Sequence, residues 1–339
     1  MFTFEAYLNL PLIWGGLIAT AIFLYVLLDG FDLGVGILFP FSPTETCRNK
    51  IMNSIAPFWD GNETWLVLGG GGLFAAFPLA YSILMPAFYI PIMVMLLGLI
   101  FRGVAFEFRF KANDRGRKLW DYAFHFGSLI SAFCQGVMLG AFVQGISVDG
   151  RVFAGGGFDW LTPFSLMTGV ALVFGYALLG ATWLIMKTED HTQKWARRCA
   201  IYVAVYVIGF MGLVCLWVPF INQQICHRWF SMPNLLYLSP IPLLTIWAAL
   251  NLFKSLVKKD ESKPFFLSIT LFALGYAGLA VSLWPWVVPY QVSLQQAAAA
   301  PESQSLLLVG MALFLPCVLG YTAYCYYVFR GKSQDVPWY

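Results

Sequence analysis

Carboxyl groups set in apolar sequence are the residues from which chemistry in this chain has to be built. Asp29 and Asp32, in LLDGFDLGVG, stand three residues apart, a spacing that puts both on one face of a helix. Asp60 and Glu63 occupy neighbouring turns of IAPFWDGNETW, between Trp59 and Trp65, just before the apolar run LVLGGGGLFAAF. Arg102 and Glu107 follow in LIFRGVAFEF, and Asp121 in KLWDYAFHFGS. An ionised side chain in lipid costs about 2.5–3.5 kcal/mol on insertion scales, so such residues face protein or water and often mark proton or ion routes. Carboxyl groups take up and release protons, and an arginine beside them balances charge. The expectation is a proton path through Asp32, Asp60, Asp29, Glu63, Glu107 and Asp121, with Arg102 as charge partner. The bland alternative is that Asp32 or Asp60 pairs with Arg102 to pin helices together. Acids at helix ends, Asp121 above all, would then simply be solvated.

The elements that must position these groups are membrane helices. Of 339 residues, 60% are hydrophobic and only 11% charged, against about a quarter charged in an average soluble domain. Apolar runs of about 20 residues, enough to cross the hydrocarbon layer, recur from end to end. They predict an all-α polytopic membrane protein with about nine spans, near 10–38, 51–77, 82–106, 119–145, 161–187, 198–221, 236–256, 264–288 and 304–330. The second is the least apolar, since it holds Pro57, Asp60, Asn62 and Glu63, and hydropathy alone would give eight. Charge placement argues for nine. With the N-terminus outside and the C-terminus cytoplasmic, every Lys and Arg but Arg151 and Arg228 falls inside. Removing the second span would put Arg48 and Lys50 on the opposite side from the Arg102–Lys118 cluster.

One transmembrane domain, 1–339, is expected: a four-helix bundle over 1–145 with the acids, a second over 146–295, and a peripheral ninth helix with a cytoplasmic tail over 296–339. Asp29 and Asp32 would lie near the inner end of the first span. Asp60 would lie roughly 15 Å in from a helix starting at residue 51, with Glu63 a turn deeper. Acids confined to the inner half suit a hydrated proton entry from the cytoplasm. The first 47 residues lack Lys and Arg, so no basic n-region precedes the first span, which is expected to be retained.

Other chemistries find little support. The net charge of +3 comes with no basic stripe, so no nucleic-acid partner is expected. Seven cysteines form no CxxC pair and read as small buried hydrophobes. The histidines His125, His191 and His227 share no span and show no paired spacing, so this chain is expected to ligate no metal or haem, and His125 reads as a hydrogen-bonded core residue. GVG at 34–36 and GGGG at 69–72 permit close helix approach. Trp59 is read as packing against a neighbouring helix, a subunit or a flat cofactor. An ion-coupled transporter would place acids in two corresponding halves, whereas the later spans hold almost none.

DGFDLGVG, NSIAPFWDGNETWLVLGGGGLFAAFP, FRGVAFEFR, KLWDYAFHFGS, TPFSLMTGV, WPWVVP and LPCVLGYTAYCYYVFRGK together resemble subunit II of cytochrome bd-type quinol oxidases, in order along nearly the whole chain. The compact length and the closing motif resemble the cyanide-insensitive branch. The resemblance implies a bacterial cytoplasmic-membrane heterodimer that oxidises quinol and reduces O2 to water. Subunit I would carry two haems b, haem d and the quinol-oxidising loop, while subunit II ligates none. By motif, Asp32 and Asp60 match acids of a proton route from the cytoplasm, and Trp59, Arg102 and Asp121 also fall on motif positions. The family leaves open a structural quinone in this subunit, small single-helix accessory subunits, and a purely scaffolding role for subunit II. FWDGNE departs from the commoner HWDGNQ, losing a histidine and adding Glu63.

Overall fold

The computed structural model describes residues 9–334. Residues 1–8, and residues 335–339 of the expected tail, lie outside the described residues.

Helix α1 (Leu10–Leu38) starts where the Asn9 side chain accepts from the Leu12 amide and Pro11 sits in the first turn. It runs into a 3-10 turn at Phe39–Phe41. A short α2 (Glu45–Asn53) is capped by Thr44, and turns over 54–58 lead to α3 (Trp59–Ala76). Pro78 opens α4 (Pro78–Ala87), and α5 (Tyr89–Arg109) follows. Asn113 caps α6 (Asp114–Gln144), which stops at Gly145, where φ is +99°. A hairpin of β1 (Val148–Asp149) and β2 (Val152–Phe153) leads to α7 (Pro163–Lys187), opened by a Thr162–Ser165 capping box. Next come α8 (Asp190–Ile221), α9 (Gln223–Phe230), α10 (Asn234–Leu238), α11 (Pro240–Val257) and α12 (Lys263–Leu283). A second hairpin, β3 (Trp286–Val288) with β4 (Val292–Ser293), precedes α13 (Leu294–Ala297) and the last helix, α14 (Pro301–Val328).

Among the described residues eight helical segments are long and apolar enough to cross a membrane. The expected second span is different: 51–77 is not one helix but the end of α2, a run of turns and α3. Pro57 explains the break, because it lacks an amide proton and biases the residue before it away from helix. Asp60 therefore sits in the first turn of α3, and the depth counted from residue 51 does not hold.

α7 is the centre of the bundle, packed on α1, α6, α8 and α12 and buried from Gly175 to Ile185. Its backbone touches that of α1. A Cβ on Gly34 would run into the Tyr176 carbonyl, and one on Gly180 into the backbone of Gly34. α5 and α6 meet the same way: a Cβ on Gly98 would lie 2.9 Å from the Gly127 carbonyl oxygen. Such glycines let membrane helices approach to backbone contact. α14 lies on the outside, against α1 and α3.

Candidate functional site

The close α5–α6 crossing fixes Arg102, since a Cβ on Gly127 would stand 2.9 Å from the Arg102 amide nitrogen. From α5 the guanidinium enters the space between α1 and α3. Nη2 lies 2.6 Å from Asp29 Oδ1 and 3.9 Å from Asp32 Oδ2, and Nη1 lies 3.8 Å from Glu63 Oε2. Arg102, Asp29 and Asp32 are fully buried, and Glu63 is partly so. Asp29 and Asp32 share the α1 face that their spacing implies. Asn62 Nδ2 donates to Asp32 Oδ2 at 2.8 Å and to the Leu28 carbonyl at 3.3 Å. Asp29 Oδ1 is taken up by Arg102, whereas Asp29 Oδ2 and Asp32 Oδ1 accept no hydrogen bond among the described residues.

One turn from Asp29 along α1, the buried Tyr25 hydroxyl accepts from Gln135 Nε2 at 2.8 Å, and Gln135 Oε1 accepts from the Tyr176 hydroxyl at 2.7 Å. On the other side, the Tyr326 hydroxyl of α14 donates to Asn62 Oδ1 at 2.9 Å. Sequence reasoning missed Asn62, Tyr25, Gln135, Tyr176 and Tyr326. Gln135 was the most visible, as an amide in an apolar span. The tyrosines blend into an aromatic-rich chain.

The remaining expected residues are placed elsewhere. Asp60 is exposed on the outward face of α3, where it makes no ion pair with Arg102 among the described residues but stands close enough to Glu63 for the two carboxyl groups to repel. Glu107 points off the outer side of α5 and pairs with Lys111 at 3.8 Å, so it does not join the buried acids. Asp121 belongs to a second cluster, where Arg109 Nε lies 2.5 Å from Asp121 Oδ1 and Nη2 lies 2.7 Å from Glu45 Oε1. Arg109 also donates to Asn49, stands over the Phe39 and Phe110 rings, and is joined by Arg48 and Arg117. Three arginines surround two carboxylates there, so no acid lacks a cation, which makes this cluster a pin for α2, α5 and α6. Trp59 stacks on Phe106, with centroids 4.8 Å apart and planes 4° from parallel; its packing partner is a neighbouring helix.

Among the described residues no three His, Cys, Asp or Glu side chains converge as metal ligands would. His125 Nδ1 lies 3.2 Å from the Gly36 carbonyl oxygen, to which it donates, while His191 and His227 are exposed on α8 and α9. His125 is hydrogen-bonded but half-buried rather than a core residue.

Residues 10–329 match the protein family described as cytochrome bd terminal oxidase subunit II. The chain is 30% identical over 374 aligned positions to the cytochrome bd-I ubiquinol oxidase subunit 2 of Escherichia coli (strain K12), covering 96% of each. It is 29% identical over 329 positions to the cytochrome bd ubiquinol oxidase subunit 2 of Bacillus subtilis (strain 168), covering 94% of this chain and 96% of that one. Its fold is similar to a chain of the bd oxidase from Geobacillus thermodenitrificans, with a TM-score of 0.75 at 16% identity, over 95% of this chain and 99% of that chain.

Proposed function

The chain belongs to the cytochrome bd terminal oxidase subunit II family, and from that premise we propose that its Asp29–Asp32–Glu63–Arg102 group carries protons from the cytoplasm towards an oxygen-reducing centre in a partner subunit. The chain is subunit II of a quinol:oxygen oxidoreductase, a multi-pass membrane protein of the respiratory chain. Reducing O2 to water consumes protons, and those taken from the inside must travel partway through the bilayer. The observation that carries the reading is that three carboxyl groups share one buried guanidinium. Such a group exceeds what one cation can neutralise, and burying uncompensated charge is costly, so it exchanges protons as a coupled unit. The uncommitted oxygens of Asp29 and Asp32 are where those protons would bind.

As the family resemblance implies, two haems b, haem d and the quinol-oxidising loop are assigned to subunit I, and no step here runs through them. Asp60, Gly61, Thr64, Val67 and Gly71 form one exposed stripe of α3. A carboxyl facing lipid is expensive, so this stripe is assigned to the partner, with Asp60 as the residue that passes protons across the interface. Glu107 and Asp121 are left off the path for the reasons given above. The topology assigned is nine crossings with α3 among them, the N-terminus outside and the C-terminus in the cytoplasm of a bacterium. The division at 145 and 295 is retained as a description of the bundle.

The test is Asp32→Asn and Asp60→Asn in the intact oxidase. Each is expected to slow quinol-dependent O2 uptake at least about tenfold while the complex assembles with unchanged haem spectra. Unchanged turnover and unchanged haem re-oxidation in both variants would reduce this subunit to a scaffold.

A further inference from the structure

We infer that Tyr326, on the last helix of the chain, is a positioning residue that anchors the Asn62 amide and through it the carboxyl of Asp32. The inference rests on the reading of Asp32 as a proton-carrying group. A carboxamide has an accepting oxygen on one side and a donating nitrogen on the other. At Asn62 both sides are committed. The Tyr326 hydroxyl donates to Oδ1 at 2.9 Å, and Nδ2 faces Asp32 Oδ2 at 2.8 Å and the Leu28 carbonyl oxygen at 3.3 Å. Turning the amide over would bring its oxygen against a carboxylate and a carbonyl, and would present its nitrogen to the hydroxyl. The Asp32 carboxylate and the Leu28 carbonyl only accept, so they fix which way the amide faces, and the Tyr326 hydroxyl, donating to Oδ1, anchors it in the orientation in which Asp32 Oδ2 is held by a donor. Asp32 Oδ1 is left as the oxygen free to take a proton.

The placement of Tyr326 is itself well determined. Its ring stacks on Phe58, at the residue before α3, with centroids 4.4 Å apart and planes at 14°. Phe58 in turn meets Trp183 of α7 edge-on at 5.8 Å. Just beyond Tyr326 the chain is strapped to α7. The buried Lys187 ammonium donates to the Phe329 and Gly331 carbonyls, and the Ser333 amide donates to the Lys187 carbonyl at 2.7 Å. α14 has few other contacts with the bundle, yet these hold its end where one hydroxyl reaches the buried acids.

Tyr326→Phe tests this in the purified complete oxidase, because it keeps the ring stacked on Phe58 and removes only the hydroxyl. Turnover is expected to fall about fivefold, the size of one lost hydrogen bond to a polar partner, with the apparent KM for quinol unchanged. In infrared difference spectra, the carboxyl band that Asp32→Asn deletes is expected to move in Tyr326→Phe. Asn62→Leu should move it as well, and adding Tyr326→Phe to Asn62→Leu should change nothing further. A carboxyl band that stays in place in Tyr326→Phe overturns the positioning role whatever happens to turnover, and this measurement stands even if Asn62→Leu fails to assemble. If Asp32→Asn itself leaves turnover intact while the band still moves, the proton-path reading fails and the positioning contact survives.

Discussion

Arg102 Nη2 lies 2.6 Å from Asp29 Oδ1 with both side chains wholly buried, on α5 and α1. The strength of that contact is better judged by what breaking it leaves behind. Removing one partner of a buried pair strands the other charge, at about 3–5 kcal/mol. Arg102→Met strands Asp29 and Asp32 together, so the yield of assembled oxidase and its thermal inactivation temperature are both expected to drop sharply. Asp29→Asn in the Arg102→Met background should recover part of that loss, because it removes one of the stranded charges. Additive losses in the double variant would count against a coupled pair.

Helix α1 can carry its acids into the core only because its own backbone lies against that of α7. Gly34 and Gly180 stand where any Cβ would overlap a neighbouring backbone, and Gly127 stands against the Arg102 amide. Gly180→Ala is therefore expected to prevent accumulation of the subunit, and Gly127→Ala to displace Arg102 and lower turnover in whatever assembles. Gly209 and Gly212 of α8 meet nothing within 4 Å, so Ala there is expected to be neutral within about 0.5 kcal/mol. Membrane-fraction yields of the four variants check the contrast.

How far the sequence carried this site depends on which contacts are local. The i,i+3 spacing of Asp29 and Asp32 follows from helix geometry, and so does a shared face. That Arg102 meets them could be anticipated only as charge balance, because the meeting depends on the Gly98–Gly127 crossing of two other helices. The reach of Asp60 was misjudged: one proline at 57 turned an apparent helix interior into a helix start. Glu107 and Asp121 show a further limit. Both lie near the ends of apolar spans, but helix rotation sends Glu107 outward to Lys111 and Asp121 to Arg109, and rotation is not readable from hydropathy. Asn62 sat inside the quoted motif without being singled out, since an amide shows its value only once a tyrosine 264 residues away is seen donating to it.

The exposed stripe of α3 separates folding of this subunit from its assembly. A Cβ on Gly71 meets nothing within 4 Å among the described residues, and Asp60 beside Gly61 faces outward on the same helix. Gly71→Leu is expected to leave the subunit inserted and folded while abolishing co-purification of the haem-bearing partner. Affinity purification through a tag on this chain, followed by haem absorbance per mole of tagged protein, reads the outcome. Full haem recovery with Gly71→Leu would place the partner on another face.

Two lysines, the buried Lys187 and the half-buried Lys332, help to tie down the tail beyond α14 alongside the hydrogen bonds of Asn53 and Ser333, and the two should respond differently to pH. Lys332 donates to Glu261 Oε2 at 2.8 Å across the exposed turn between α11 and α12. That hydrogen bond holds the Glu261 carboxyl below its ordinary value of 4.5. A carboxyl depressed by folding stabilises the tail fully above its unfolded value and loses that contribution as pH falls through the lower folded value. The contribution is below about 1 kcal/mol, because the pair is open to solvent and screened by salt. Glu261→Gln should therefore leave tail protection against carboxypeptidase nearly unchanged in high salt and weaken it slightly in low salt at neutral pH. Lys187→Met removes the buried donor to the Phe329 and Gly331 carbonyls, and should release the tail at every pH and salt concentration. Equal salt sensitivity in the two variants would show that the buried lysine is not what holds the end of α14.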